Sequence, residues 1–223
     1  LPQGPLHGST LKSLFLTMAT TATSPPTTAT EEPVRLLIPG FLSPETCKEL
    51  EFVHRSCGTA GYRPSVVSTS LPHLAATSCG HLLLPFVPIR ERLRDAVESF
   101  FSCHFELFVE FTGLVSWCKG ASIGWHSDDN KPYLRQRAFT KAVCYLNSHG
   151  KDFKGGILQF QDGKPSSVVP VAGDVVIYTA DNRNVHCVDE VLVCFRCESE
   201  FCLSYVHAYS PLLVLLAIFF FHY

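Results

Sequence analysis

From residue 104 onward, apolar residues recur at every second position in short runs, and this period of two constrains the fold more than anything else in the chain. In "HFELFVEF", Phe105, Leu107, Val109 and Phe111 alternate with largely polar partners, as a half-buried strand requires. Further short strands are predicted at "GLVSWC", "SIGWHSD", "KAVCYLN", "GGILQFQ", "SSVVPV" and "DVVIYTA". Gly, Asn, Asp and Pro punctuate the gaps between them. Many short strands joined by turns point to a sandwich or jelly roll, and no internal repeat is visible.

The residues before 104 have a different period. "VRLLIPGFL" (34–42) reads as a short strand closed by Pro39-Gly40. "SPETCKELEFVHRSC" reads as a helix with Ser43 at its N-cap and Pro44 at the first helical position, with Cys47, Leu50, Val53 and His54 on one face. After Pro88, Ile89, Leu93, Ala96, Val97 and Phe100 recur at helical spacing, opposite a charged face of Arg90, Glu91, Arg94, Asp95 and Glu98. The expected class is therefore mainly β with flanking helices (α+β), the helices bracing a sheet. Hydrophobic residues make up 46% of the 223, enough for a sizeable core, and a net charge of -2 gives no reason to expect nucleic-acid binding.

Both ends differ from this middle. The stretch "ATTATSPPTTATEEP" cannot bury enough apolar surface to order itself, so residues 1–33 are expected to form a disordered tail. Met18, the one methionine, is expected to be the true start. The ten cysteines lack a disulfide-framework spacing, and no secretory signal precedes them. Free thiols and a cytoplasmic or nuclear location are expected.

The chemistry sits in "GWHSDDN" (124–130). In an extended segment residues i and i+2 share a side, so His126 and Asp128 project together, as an HxD metal half-site needs. Alone, such a tripeptide also suits a solvated acidic turn. A third ligand is offered by His186, which follows an apolar strand and a turn in "VVPVAGDVVIYTADNRNVHCVDEV". Two imidazoles and one carboxylate are the facial triad of non-haem iron(II) oxygenases.

The order HxD, a strand ending in Tyr-Leu-Asn, Gly-Gly opening a strand, Pro-x-x-Gly-Asp before another, and a distal His resembles the iron(II)- and 2-oxoglutarate-dependent dioxygenases of the prolyl hydroxylase type. The resemblance spans roughly residues 104 to 191 and implies a double-stranded β-helix. It makes His126, Asp128 and His186 the iron ligands and the catalytic residues. It also makes Tyr145 the hydroxyl reaching the far carboxylate of 2-oxoglutarate, Leu158 an apolar wall, and Arg196 the cation for that carboxylate. The implied cofactors are Fe(2+), 2-oxoglutarate and O2, with ascorbate as reductant. The implied reaction is hydroxylation of a prolyl (less readily lysyl) side chain in a protein or peptide, with 2-oxoglutarate decarboxylated to succinate. Asp129, Arg135 and Arg137 read as solvated loop residues beside the site. An alkylated nucleic-acid base demethylase of the same superfamily is the rival enzyme, set lower because that branch has two spaced arginines after the distal His and only Arg196 is present.

On this reading residues 34–103 are a helical support region, 104–196 the dioxygenase core, and 197–223 an atypical hydrophobic C-terminal tail. Arg196 lies ten positions after His186, the right interval, but without the turn glycine and alternating strand the family shows around it. The last strand is therefore expected to be missing or replaced. Three readings of the tail compete. One is read-through into non-coding sequence, which would leave a truncated, non-catalytic product. Another is a membrane tail anchor, for which "LLVLLAIFFF" is short. The third is a zinc knuckle of Cys194, Cys197, Cys202 and His207.

Overall fold

The computed structural model describes residues 35–60, 65–102, 104–128, 139–193 and 196–205. Among these, β1 (Arg35–Ile38) ends at the Pro39–Gly40 turn and leads into α1 (Pro44–Cys57). The Ser43 side chain accepts the N–H of Thr46, which satisfies one of the donors left open at a helix start. The four residues α1 buries are the predicted ones, Cys47, Leu50, Val53 and His54. Two short strands, β2 (Thr59–Ala60) and β3 (Val66–Ser70), follow, and Ser70 caps α2 (Leu71–Ala76) through the N–H of His73. The next helix, α3 (Phe86–Phe101), begins ahead of Pro88; of the predicted stripe it buries Ile89, Leu93 and Val97, leaves Ala96 and Phe100 half-buried, and adds Phe86.

The remaining strands are β4 (Phe105–Trp117), β5 (Ile123–His126), β6 (Phe139–Tyr145), β7 (Lys154–Gly155), β8 (Leu158–Phe160), β9 (Ser167–Val168), β10 (Val175–Thr179), β11 (His186–Val188), β12 (Val191–Val193) and β13 (Arg196–Tyr205). They form a seven-stranded sheet in the order β1-β10-β6-β13-β4-β3-β2, a four-stranded sheet β5-β11-β8-β9, and a β12-β7 pair, with every strand pairing antiparallel. Two antiparallel sheets, the larger packed against the helices, make the expected double-stranded β-helix.

Alternation along the central strands divides the core. Ala142, Cys144, Val175 and Ile177 join the cluster that includes Leu50, Leu93 and Val97 of the helices. Their neighbours Val143, Tyr145, Val176 and Tyr178 instead join Leu158, Phe160, Val168 and Val188 of the smaller sheet. Burial on both faces explains why β6 and β10 read as nearly unbroken apolar runs. "HFELFVEF" and "GLVSWC", predicted as two strands, are the single strand β4. At Gly113, in its middle, a Cβ would come within 2.7 Å of the Thr69 carbonyl, so close approach to β3 takes a glycine there.

The expectation of a missing last strand is corrected here. Arg196–Tyr205 is a ten-residue strand hydrogen-bonded between β6 and β4, extending well past residue 197. "RCESEFCLSY" contains neither Pro nor Gly, so it offers an unbroken row of donors and acceptors to two waiting edges. Cys47, Cys57, Cys79, Cys118, Cys144, Cys187 and Cys197 are free thiols, and of these Cys47, Cys144, Cys187 and Cys197 are buried. No helix among the described residues is long and apolar enough to cross a membrane. Met18, the N-terminal tail, Asp129, Arg135, Arg137, Cys194, His207 and the apolar run after Pro211 lie outside the described residues.

Candidate metal centre

Strands β5 and β11 are neighbours in the smaller sheet, and their register sets His126 directly opposite His186. Residues facing each other across an antiparallel pair are close enough for their side chains to meet. The imidazole centroids are 4.3 Å apart. Asp128 lies two residues beyond His126, just past the strand end, and its carboxylate joins them. Oδ1 is 3.7 Å from His126 Nε2 and Oδ2 is 3.7 Å from His186 Nε2. One ligand atom from each of the three falls within 4.8 Å of the others.

Both imidazoles are fixed in the tautomer a metal needs. His126 Nδ1 is 2.8 Å from the Gly124 carbonyl and His186 Nδ1 is 2.8 Å from the Asn184 carbonyl. A carbonyl only accepts, so each Nδ1 carries the hydrogen and each Nε2 turns its lone pair toward Asp128. The Asn184 segment is itself anchored. The Arg35 Nε donates to Asn184 Oδ1 at 2.9 Å, and Asn184 Nδ2 donates to Thr179 Oγ1 at 2.8 Å. Arg35 also donates to the Pro165 and Asp162 carbonyls and stacks over Phe160, 3.9 Å from its centroid.

Burial resists ionisation of Asp128, but Lys141, His186, His126 and the hydrogen bond from Tyr178 outweigh it, and the carboxyl titrates below its ordinary range. Burial lowers the His186 pKa despite the opposing pull of Asp128, favouring the neutral ring that binds metal.

The other predicted residues are buried in the core. Tyr145 is fully buried, Leu158 is 3% exposed, and both share one cluster with Tyr178. Arg196, 1% exposed, sets its guanidinium carbon 5.4 Å from the Tyr145 ring centroid and 5.6 Å from that of Trp117. The Gly-Gly pair, predicted to open a strand, also makes room for Arg196. A Cβ on Gly156, whose φ is +62°, would meet Arg196 Cδ at 2.9 Å.

Tyr178 and Lys141 were not predicted. The Tyr178 hydroxyl donates to Asp128 Oδ2 at 3.1 Å and lies 3.4 Å from His186 Nε2. Lys141 Nζ is 3.6 Å from Asp128 Oδ1. Each is a polar tip in a strand buried on both faces, and that chemical misfit was the available signal.

Two imidazole nitrogens and one carboxylate, converging from a double-stranded β-helix, form a cluster that could hold a single metal ion. Residues 112–200 match the model of the 2OG-Fe(II) oxygenase superfamily. Among solved structures with this fold is HygX from Streptomyces hygroscopicus with nickel and 2-oxoglutarate bound, 14% identical over 78% of this chain and 83% of that one, at a TM-score of 0.59. The viral collagen prolyl hydroxylase vCPH from Paramecium Bursaria Chlorella virus-1 is 15% identical over 78% and 97%, also at 0.59. A Pseudomonas putida prolyl-4-hydroxylase is 18% identical over 78% and 93%, at 0.57. At these identities the likeness is one of fold. No curated protein matches the chain significantly.

Proposed function

We propose that this chain is an Fe(II)- and 2-oxoglutarate-dependent dioxygenase that hydroxylates a protein side chain, with prolyl the favoured target. The observation that carries this is the donor set: two imidazoles with Nε2 turned inward and one ionised carboxylate. That set suits iron(II), and His126, Asp128 and His186 would hold it. Bound there with 2-oxoglutarate and dioxygen, the metal supplies the oxidising power to hydroxylate a C–H bond as 2-oxoglutarate is decarboxylated to succinate. Arg196 would bind the far carboxylate through its planar guanidinium, Tyr145 would add its hydroxyl, and Leu158 would exclude water from that pocket. Ascorbate is the reductant proposed to keep iron reduced. A prolyl target is supported by the resemblance of the sequence and by the prolyl hydroxylases among the proteins of like fold.

The test is succinate release by the full chain with a library of proline-containing peptides. Release should require iron(II) and 2-oxoglutarate, rise with peptide, and vanish in His126→Ala. Release stimulated by methylated oligonucleotides and not by peptides would overturn the prolyl reading, and unchanged turnover in His126→Ala would overturn the site.

A further inference from the structure

The metal ligands and the groups that grip the carboxylate come from different sheets. His126 and His186 stand on β5 and β11 of the smaller sheet, whereas Tyr178 and Lys141 stand on β10 and β6 of the larger one. Tyr178 and Lys141 are themselves direct cross-strand partners. They reach Asp128 from one rigid patch and take one oxygen each. Tyr178 donates to Oδ2 at 3.1 Å, and Lys141 lies 3.6 Å from Oδ1. Tyr178 is 2% exposed and the Asp128 side chain 14%, so little water competes with this hydrogen bond and ion pair.

A carboxylate free to turn about its Cβ–Cγ bond can offer a metal both oxygens. That would fill one of the three positions a facial triad leaves open. A 2-oxo acid chelating through two oxygens, together with dioxygen, needs all three. We infer that Tyr178 and Lys141 are positioning residues that hold Asp128 as a one-oxygen ligand and so keep the third position open for the co-substrates. This rests on the proposed dioxygenase reading and adds to it a reason for two polar side chains inside a buried sheet.

The experiment separates metal binding from co-substrate binding in the full chain, without turnover. Mn(II) is titrated first, and 2-oxoglutarate is then titrated into the Mn(II)-loaded protein under argon, for wild type, Tyr178→Phe, Lys141→Met and Lys141→Arg. Melting curves establish that each variant is folded. Tyr178→Phe is expected to weaken 2-oxoglutarate binding by about 10-fold or more, and by clearly more than it weakens Mn(II) binding. Lys141→Met should shift affinities in the same direction, and Lys141→Arg should restore them. Parallel loss of both affinities would mean a merely structural role and would overturn the inference, as would no loss at all. A phenolate-to-iron(III) charge-transfer band in the wild type would overturn it differently, by making Tyr178 itself a ligand. A wild type that bound Mn(II) but not 2-oxoglutarate, or neither, would overturn the dioxygenase reading beneath it.

Discussion

Tyr145 and Arg196 approach each other from adjacent strands, one ring and one guanidinium sealed in the core beside Trp117. If they bind the far carboxylate of 2-oxoglutarate, Tyr145→Phe removes one hydrogen bond to a charged group. Such a bond contributes about 1.5 to 3 kcal/mol, so 2-oxoglutarate affinity should fall by about 10- to 100-fold. Metal affinity should stay near wild type, and a titration of each ligand checks both. An unchanged 2-oxoglutarate affinity would remove Tyr145 from the pocket. His126 and Asp128 were legible in the sequence because a period of two dictates which side chains share a face. Tyr178 and Lys141 were not, because their roles come from the pairing of β6 with β10, which no local pattern encodes.

At the scale of elements, the ends of α1 and its buried face were readable because capping and helical periodicity are local. The strand β13 was not. Its residues follow no clean alternation, and the segment is a strand because β4 and β6 present unpaired edges on either side. Ser199 lies opposite both Leu114 and Cys144, at the middle of the sheet. Ser199→Pro should remove a ladder donor there and abolish cooperative unfolding, as followed by circular dichroism. A melting curve like that of the wild type would mean that β13 contributes little to the fold. The same central place makes Arg196, at the first position of β13, dependent on the strand for its burial beside Tyr145.

At the scale of the whole molecule, the buried base His54 ties stability to pH. His54 of α1 bridges to the larger sheet through Thr69 Oγ1 and Ser116 Oγ, each at 2.9 Å. Burial, helped by Arg55, lowers its pKa from 6.5 to about 4. Between those values the unfolded chain binds a proton that the folded chain excludes. Stability should therefore fall as pH drops from 6.5 towards 4, by about 3 kcal/mol from this group, and this contribution should level off below that. Chemical denaturation of wild type and His54→Gln across this range checks it. The variant should lose that part of the slope, and an identical slope would exclude His54 as its source.

The central claim is that one metal ion sits among His126, Asp128 and His186. It is tested most directly by anomalous diffraction from crystals grown with Mn(II) and 2-oxoglutarate. The account predicts a single strong peak in bonding contact with His126 Nε2, His186 Nε2 and one oxygen of Asp128, with 2-oxoglutarate chelating the same ion. A peak elsewhere, or none within reach of these three side chains, would contradict it.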